Sequence, residues 1–220
     1  MKKPRICAVV VDNDIRPIKR VGPLADLFEI RIDLIGEGWQ ELVSQLKKPW
    51  IACNRRAEEG GKGEKIEAMR IEKLLKAIEL GADIVDIELG TDKLEQVMPL
   101  IGKRAKRLIS FHDLEKTPSL DEMRDIVRRQ VNAGADICKV VTTAQKFEDN
   151  LNTLQLISES SMVKIVSFAM GELGALSRIL CPLVGGDFTY ASIEPGKESA
   201  VGQITVRDLR NLYEMVQNGN

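Results

Sequence analysis

The stretch Gly134–Val141, GADICKVV, indicates the fold more clearly than any other part of the sequence. Four apolar residues surround Lys139 in a short, β-prone run, which is typical of a strand buried on both faces of a parallel sheet. A lysine in such a strand must be paired, must reach water at the strand end, or must lose its charge. Two interpretations are open here. The lysine is paired or snorkelling, or it is a desolvated amine whose lowered pKa lets it attack a carbonyl as a Schiff-base nucleophile.

The same order of helix end, Gly-Ala-Asp and strand occurs earlier, in ELGADIVDIEL (79–89). Short apolar strands alternate with helical patterns along the whole chain, and no linker or change of composition divides it. Eight such units in 220 residues predict an α/β fold, a closed (β/α)8 TIM barrel, as a single catalytic domain over residues 1–220. An open doubly wound sheet is the alternative, but it would normally have fewer strands and a glycine-rich first turn, and no nucleotide-binding motif is present.

The predicted strands are 6–11, 27–33, 50–54, 83–89, 107–112, 136–141, 163–168 and 187–192. The predicted helices are 17–25, 37–48, 63–80, 92–103, 119–133, 145–160, 171–181 and 205–217.

Composition and charge argue against several classes of partner. The net charge is −1 without a basic block, and only 4% of the residues are aromatic, so neither nucleic acid nor a membrane surface is an expected partner. Four widely spaced cysteines without a CxxC pair predict reduced thiols and a cytoplasmic protein. The first apolar run, 6–11, is too short for a signal sequence or a membrane span. No cluster of histidines or cysteines suggests a metal site.

Charged residues recur near the C-terminal ends of the predicted strands. In LFEIRID (27–33), Glu29, Arg31 and Asp33 alternate with apolar residues, so the three charges are expected on one face. Helices cover the outside of a barrel, so this face should point into the barrel mouth, where active sites of barrel enzymes are built. Similar positions are held by Arg55, Asp86, Glu88, His112 and Lys139.

His112 is the single histidine of the chain, and it ends the predicted strand RLISFH (107–112). A lone histidine is often structural, but its position at a strand end opposite Lys139 favours proton transfer beside a carbonyl or iminium carbon. In the loop RRAEEGGKG (55–63), which follows the third predicted strand, Glu59 is a candidate for orienting the histidine. The glycine pair of that loop permits close approach to a ligand.

Two further segments have residues suited to binding. Arg178, shortly beyond the seventh strand, is positioned to clamp a carboxylate, although a surface arginine is the plainer interpretation. The loop EPGKESAVGQ (194–203) has the length and polarity of a lid, although a simple connector would look similar.

Seven motifs together resemble the type I 3-dehydroquinate dehydratase family of the shikimate pathway, from the second strand to Gln203. They are FEIRID, RRAEEGG, IVDIEL, SFHDLEKTP, ADICKVV, MGELGALSR and SAVGQI, in the order in which the family has them. Phe168 stands where some members have methionine, and Tyr190 stands where some have phenylalanine. Both changes are tolerable in an apolar wall. The stretch between Tyr190 and Ser199 is slightly longer than in those members.

The resemblance implies a (β/α)8 barrel that dehydrates 3-dehydroquinate to 3-dehydroshikimate without a metal or an organic cofactor. It implies that Lys139 forms an imine with the substrate, that His112 is the general acid and base, and that Glu59 supports His112. It also implies a homodimer. The substrate pocket that it implies contains Glu29, Arg31, Arg55, Met170, Arg178, Tyr190, Ser199 and Gln203, with Arg55 chosen over Arg56 by its distance in sequence from Glu59.

Two other functions remain open to the sequence. A Schiff-base aldolase of phosphorylated sugars would need a phosphate cradle after strands seven and eight, whereas the pair Gly185-Gly186 precedes strand eight. A non-catalytic binding barrel would have no reason to bury an unpaired lysine beside the sole histidine.

Overall fold

A computed structural model, which describes residues 3–218, consists of eight parallel strands in a nearly closed barrel with helices around it. The strands pair in chain order from the first to the seventh, and the eighth pairs with the first. Between the seventh and eighth strands, Asp187 N donates a hydrogen bond to Ile165 O at 2.8 Å. The predicted (β/α)8 barrel is therefore confirmed, and the alternative of an open doubly wound sheet is wrong.

The strands are β1 (Ile6–Val10), β2 (Leu27–Arg31), β3 (Trp50–Cys53), β4 (Ile84–Glu88), β5 (Lys106–His112), β6 (Ile137–Thr143), β7 (Lys164–Met170) and β8 (Thr189–Ser192). The α-helices are α1 (Ile15–Val21), α2 (Ile32–Ile35), α3 (Trp39–Val43), α4 (Glu67–Glu79), α5 (Leu94–Ile101), α6 (Leu120–Asn132), α7 (Asp149–Glu159), α8 (Ala175–Leu180) and α9 (Val206–Asn218). Short 3-10 helices lie at Ala57–Glu59, Glu172–Gly174 and Cys181–Leu183.

The repeated Gly-Ala-Asp has a structural cause. Gly81 and Gly134 end helices with φ of +94° and +90°, a conformation that glycine adopts without steric cost. The aspartate that follows accepts a hydrogen bond from an amide at the start of the preceding strand: Asp83 Oδ2 from Trp50 N at 3.0 Å, and Asp136 Oδ2 from Arg107 N at 2.8 Å. Each copy therefore ends a helix and satisfies an otherwise unpaired strand amide.

Alternation along the strands separates two buried layers. One layer lies between the strands and the helices, and the other lies inside the barrel and includes Cys7, Leu27, Ile51 and Leu108. The interior residues join one apolar cluster with residues of α6 and α7 such as Met123 and Leu156. The strand register then stacks the polar positions, with Cys53 beside Asp86 and Ser110 beside Lys139. These residues lie closer to the C-terminal ends of their strands than the apolar interior residues do, so the polar groups lie toward the C-terminal end of the barrel.

The expectation for Asp33 is wrong. Strand β2 ends at Arg31, and Asp33 lies in the one-turn helix α2, so it does not continue the charged face of the strand. Its carboxylate instead accepts from Arg31 Nε and Nη2 at 2.9 and 2.6 Å and from Lys62 N at 3.0 Å. Asp33 therefore holds Arg31 from outside the cavity.

None of the helices within residues 3–218 has both the length and the apolar character required to cross a bilayer. All four cysteines are free and buried.

Candidate active site

One cavity of about 390 Å³ opens at the C-terminal end of the barrel. It is lined by every residue that the family resemblance assigns to the site, brought together from β2, β5, β6, β7, β8 and the loops beside them. They are Glu29, Arg31, Arg55, Glu59, His112, Lys139, Met170, Arg178, Tyr190, Ser199 and Gln203. Asp33, Asp86 and Glu88, which the strand pattern also placed at the barrel mouth, do not line the cavity. Arg56 does not line it; its side chain contacts Glu58 and the carbonyl of Gly90.

Lys139 is buried at the cavity wall and is paired. Its Nζ lies 2.8 Å from Asp86 Oδ2 and 3.4 Å from Glu29 Oε1, and it lies over the ring of Tyr190 at 4.2 Å from the centroid. Burial lowers the pKa of Lys139, but Asp86 and Glu29 outweigh burial and leave the pKa raised. The interpretation of Lys139 as an amine with a lowered pKa is therefore wrong for the unliganded protein, in which Lys139 is an ammonium.

Asp86 is the centre of a buried charge network. Its Oδ2 also accepts from Arg55 Nη2 at 2.7 Å, and its Oδ1 accepts from Ser110 Oγ at 2.6 Å. Despite its complete burial, these cations hold the pKa of Asp86 well below its usual value. One carboxylate thus orients both Lys139 and Arg55.

A second carboxylate fixes Arg55 from behind the cavity. Glu88 Oε1 accepts from Arg55 Nη1 at 2.9 Å, and its Oε2 accepts from Arg70 Nη1 at 2.6 Å. Arg70, on helix α4, is completely buried, and it also contacts Glu67 and Thr91. Buried charges of this kind are tolerated only when each is paired, so the network restricts Arg55 to one position.

The pair of Glu59 and His112 lies beside this network, with Glu59 Oε2 3.9 Å from Arg55 Nη1. Glu59 Oε2 lies 2.7 Å from His112 Nδ1. The loop that carries Glu59 folds tightly onto itself, because Gly61 N and Gly63 N donate to the carbonyls of Arg56 and Arg55. A Cβ on Gly61 would lie 2.0 Å from Arg55 O. The close approach that this glycine permits is therefore to the protein's own backbone.

The charge state of this pair follows from its surroundings. Burial raises the pKa of Glu59 to about 7, opposed by Arg55 and reinforced by Glu88. Burial also lowers the pKa of His112 well below its ordinary value, with Arg55 and Lys139 acting in the same direction. Above pH 7 the pair is a neutral imidazole beside a carboxylate. Nδ1–H then donates to Glu59, and Nε2 is left as a free base.

Arg178 is the cation of the cavity without an acidic partner. It is 2% exposed, and within residues 3–218 neither Nε nor Nη2 has a hydrogen-bond partner. Its Cζ lies over the ring of Phe168, 4.2 Å from the centroid. Burial lowers the pKa of Arg178 to about 10, so the group is still charged at neutral pH. An unpaired buried guanidinium is a strong site for an anion, and its planar fork suits a carboxylate.

The loop between β8 and α9 covers one side of the cavity. Ser199 N donates to Gln203 Oε1 at 2.9 Å, and Val201 O accepts from Gly171 N at 3.2 Å. Two exposed ion pairs connect the loop to the segment after β1: Lys197 with Asp12, and Glu194 with Arg20. Ser199 and Gln203 therefore reach the cavity from the segment predicted to be a lid.

Within the described part of the chain, one group of side chains has the spacing of metal ligands: Glu29, Cys53 and Asp86, whose ligand atoms lie within 4.8 Å of one another. Lys139 already contacts both carboxylates, and Arg55 Nη2 lies 2.7 Å from Asp86 and 3.3 Å from Cys53 Sγ. Burial raises the pKa of the Cys53 thiol, which disfavours a thiolate ligand. This group is better suited to binding side-chain cations than to binding a metal ion.

Some residues of the site received no role from the sequence. The sequence predicts Asp86 at a strand end, but its contact with Lys139 depends on the barrel register and is not visible in the sequence. Thr143 lines the cavity, yet the predicted strand ended at Val141 because the apolar run ends there. Extending the alternation of Lys139 and Val141 by two residues would have placed Thr143 on the same face of the strand.

Comparisons with known proteins agree with this geometry. A family model described as type I 3-dehydroquinase matches residues 6–220. A 3-dehydroquinate dehydratase of Dehalococcoides mccartyi is 43% identical over 220 residues, which cover 100% of this chain and 99% of the relative. One of Methanocaldococcus jannaschii is 36% identical, over 96% and 98%. The crystal structure of 3-dehydroquinate dehydratase from Geobacillus kaustophilus is similar with a TM-score of 0.86 and 27% identity, over 99% and 92% of the two chains.

Proposed function

The chain belongs to the type I 3-dehydroquinase family, and we propose that Lys139, His112 and Glu59 carry out the reaction of that family here. This reaction of the shikimate pathway converts 3-dehydroquinate to 3-dehydroshikimate and water. The observation that carries the assignment is that one cavity holds both a buried lysine and Arg178, whose Nε and Nη2 have no hydrogen-bond partner in the described part of the chain. The substrate has a ketone for the first and a carboxylate for the second.

In the proposed mechanism, neutral His112 first takes a proton from the Lys139 ammonium, and the free Nζ adds to the ring ketone to give a carbinolamine. His112 then returns the proton to the carbinolamine hydroxyl group, which leaves as water and gives a cationic imine. The positive charge acidifies the adjacent C–H bond, because the imine nitrogen accepts the electron pair as the proton leaves. No metal or organic cofactor is required for this step, since the imine is the electron sink.

His112 is the proposed base for that C–H bond and the acid for the departing hydroxyl group. The 2.7 Å contact between Glu59 Oε2 and His112 Nδ1 supports this role, because it leaves Nε2 free to take the proton and later to return it. The β-hydroxyl leaves as water, and a second water hydrolyses the product imine. One water is released in imine formation and one is consumed in hydrolysis, so the net product is the one water of dehydration.

Substrate binding is assigned to Glu29, Arg31, Arg55, Met170, Arg178, Tyr190, Ser199 and Gln203, all at the cavity wall. Arg31 and Arg55 already have acidic partners, Asp33 for the first and Asp86 and Glu88 for the second. Arg178 has none in the described chain, and it is therefore the proposed carboxylate clamp.

The proposed activity is tested by adding 3-dehydroquinate to the purified protein and recording the absorbance of the conjugated enone product. We expect a steady increase that stops at equilibrium and is absent with Lys139→Ala. A wild-type protein that gives no enone while folded would contradict the function. A cleavage product in place of the enone would support the alternative of a Schiff-base aldolase.

We further propose a cytoplasmic enzyme that forms one catalytic domain over residues 1–220 and assembles as a homodimer. Four free, buried cysteines support the reducing compartment. Arg210 on α9 donates to Pro4 O and Leu24 O, which joins the two chain ends into one unit. Exposed apolar side chains at Phe147, Leu151 and Leu173 support an interface between copies. Light scattering on the purified protein tests the dimer directly.

A further inference from the structure

Three arginines line the cavity, and they are held in two different ways. The guanidinium of Arg31 is bound by Asp33, and that of Arg55 by Asp86 and Glu88. In both, the N–H edge of the guanidinium is occupied by carboxylate oxygens. Arg178 has no such partner within residues 3–218, and the group over which it lies is the ring of Phe168.

The ring of Phe168 is itself fixed by other aromatic rings. It meets Tyr190 edge to face, with centroids 6.0 Å apart and an interplanar angle of 63°. Tyr190 meets Phe188 at 5.4 Å and 70°. All three rings are buried, at 3% exposure or less, and edge-to-face pairs are a favoured aromatic geometry. The face that Phe168 turns toward Arg178 is therefore held in place.

We propose that Phe168 is a positioning residue for substrate recognition, whose ring face holds the Arg178 guanidinium with its N–H edge free for the substrate carboxylate. The inference rests on the proposed function, because it takes the carboxylate of 3-dehydroquinate as the anion.

The reason lies in the geometry of the guanidinium. Its five N–H donors point outward in the plane of the group, whereas a cation–π contact uses the face. A ring can therefore fix the position of an arginine without using any donor. A carboxylate partner within the protein would have fixed Arg178 equally well, but the substrate would then have had to displace it.

The expected cost of losing the ring falls on binding. Without Phe168, the buried guanidinium has freedom to leave its position, so the substrate must order it on entry. Desolvated cation–π contacts are strong enough to change affinity about tenfold. Because Arg178 is expected to contact the carboxylate equally before and during the reaction, the loss should raise KM and leave kcat within about twofold.

The test compares Phe168→Met, which keeps a side chain of similar volume without a ring, with Phe168→Tyr, which keeps the ring. Phe28→Met is the matched control, since it removes an equally buried ring that neither lines the cavity nor belongs to the aromatic cluster beside Arg178. KM and kcat are measured for 3-dehydroquinate and for its methyl ester, which lacks the negative charge. Circular dichroism and thermal unfolding report whether each variant is folded.

We expect Phe168→Met to lower kcat/KM for the acid about tenfold through KM, and to lower kcat/KM for the ester less than about threefold. Phe168→Tyr and Phe28→Met should retain the wild-type preference for the acid over the ester. An equal loss for acid and ester would overturn the proposal, as would an unchanged KM for the acid. Failure of the proposed function is distinct from both, since the wild-type protein would then give no product.

A measurement on the wild-type protein keeps the proposal testable even if Phe168→Met does not fold. A proton held over an aromatic face resonates upfield, so the Arg178 N–H signals in NMR should be shifted upfield by the ring of Phe168. Signals at ordinary arginine positions in the unliganded protein would overturn the proposal.

Discussion

The carboxylate of Asp86 lies 2.8 Å from the amine of Lys139, so the lysine proposed as the nucleophile is stored as an ion pair. The same oxygen, Oδ2, contacts Arg55 at 2.7 Å, and Glu29 approaches Nζ at 3.4 Å. These contacts offset the desolvation free energy of the buried lysine, because paired charges are tolerated in a protein interior where an isolated charge is not. They also imply that activation of the amine belongs to the substrate complex and not to the resting protein.

Replacing Asp86 by asparagine should destabilise the fold markedly. The substitution removes the negative charge between two buried cations, and breaking a buried pair in this way costs about 3–5 kcal/mol in free energy of unfolding. Denaturant unfolding at pH 7 measures the change. The matched control is Asp125→Asn, whose exposed pair with Arg128 should contribute less than about 1 kcal/mol. Equal stability of the two variants would mean that the buried network is not energetically important.

The dependence of activity on pH should reflect Glu59, whose pKa is raised to about 7. Below that pKa, the protonated carboxyl group of Glu59 donates a hydrogen bond to Nδ1. The neutral imidazole of His112 then carries its own proton on Nε2, which cannot act as a base. The value of kcat/KM should therefore fall about tenfold per pH unit below pH 7 and level off above it. The groups facing this pair are Arg55, Arg56, Asp86, Glu88, Lys139 and Arg31.

The variant Glu59→Gln provides the control for this assignment. Glutamine keeps a hydrogen bond to Nδ1 but does not titrate, so activity should be lower and the fall below pH 7 should disappear. Persistence of the same fall in Glu59→Gln would assign the titration to another group.

The sequence predicted the architecture well because its signals are local. Every predicted strand is present in the described residues, and both Gly-Ala-Asp copies lie between a helix and a strand, since strand propensity and helix termination depend on near neighbours. Asp33 was misplaced because alternation shows which face a residue would take, but not where the strand stops. The helix predicted over 37–48 is likewise limited to Trp39–Val43.

The site was predictable as a set of residues but not as an electrostatic arrangement. Family motifs identified Lys139 and His112 through their neighbours in sequence. The pKa of Lys139, in contrast, depends on Asp86, which is 53 positions away and reaches the lysine only through the barrel register. The contact of Arg178 with Phe168 likewise depends on the conformations of two side chains, which no sequence pattern specifies.

Replacing Arg178 by alanine should raise KM sharply. The substrate carboxylate would lose a desolvated, charge-assisted partner, and losses of about 2–5 kcal/mol correspond to about 30-fold or more in affinity. Steady-state kinetics with 3-dehydroquinate measure the effect. Arg56→Ala is the matched control, because Arg56 does not line the cavity, and its KM should remain at the wild-type value. An unchanged KM in Arg178→Ala would place the clamp elsewhere, with Arg55 the next candidate.

Replacing His112 by alanine should separate proton transfer from imine formation. Turnover should fall about 10²–10⁴-fold, since the chain has no second histidine. The lysine remains, so a covalent complex with substrate or product should accumulate and be visible by intact mass after borohydride reduction. Added imidazole should restore part of the turnover by occupying the space that the side chain leaves. Near-normal turnover in this variant would make His112 structural and would direct the search for the base to Glu29, Glu59 and Glu88.

The central claim is that Lys139 forms an imine with the substrate, and borohydride trapping tests it most directly. The wild-type protein is treated with borohydride in the presence of 3-dehydroquinate or 3-dehydroshikimate and then digested for peptide mass mapping. We predict irreversible inactivation and a single reduced adduct on Lys139, with no adduct in Lys139→Ala and no inactivation without ligand. An adduct on a different lysine, or an active enzyme that borohydride does not inactivate, would contradict the account.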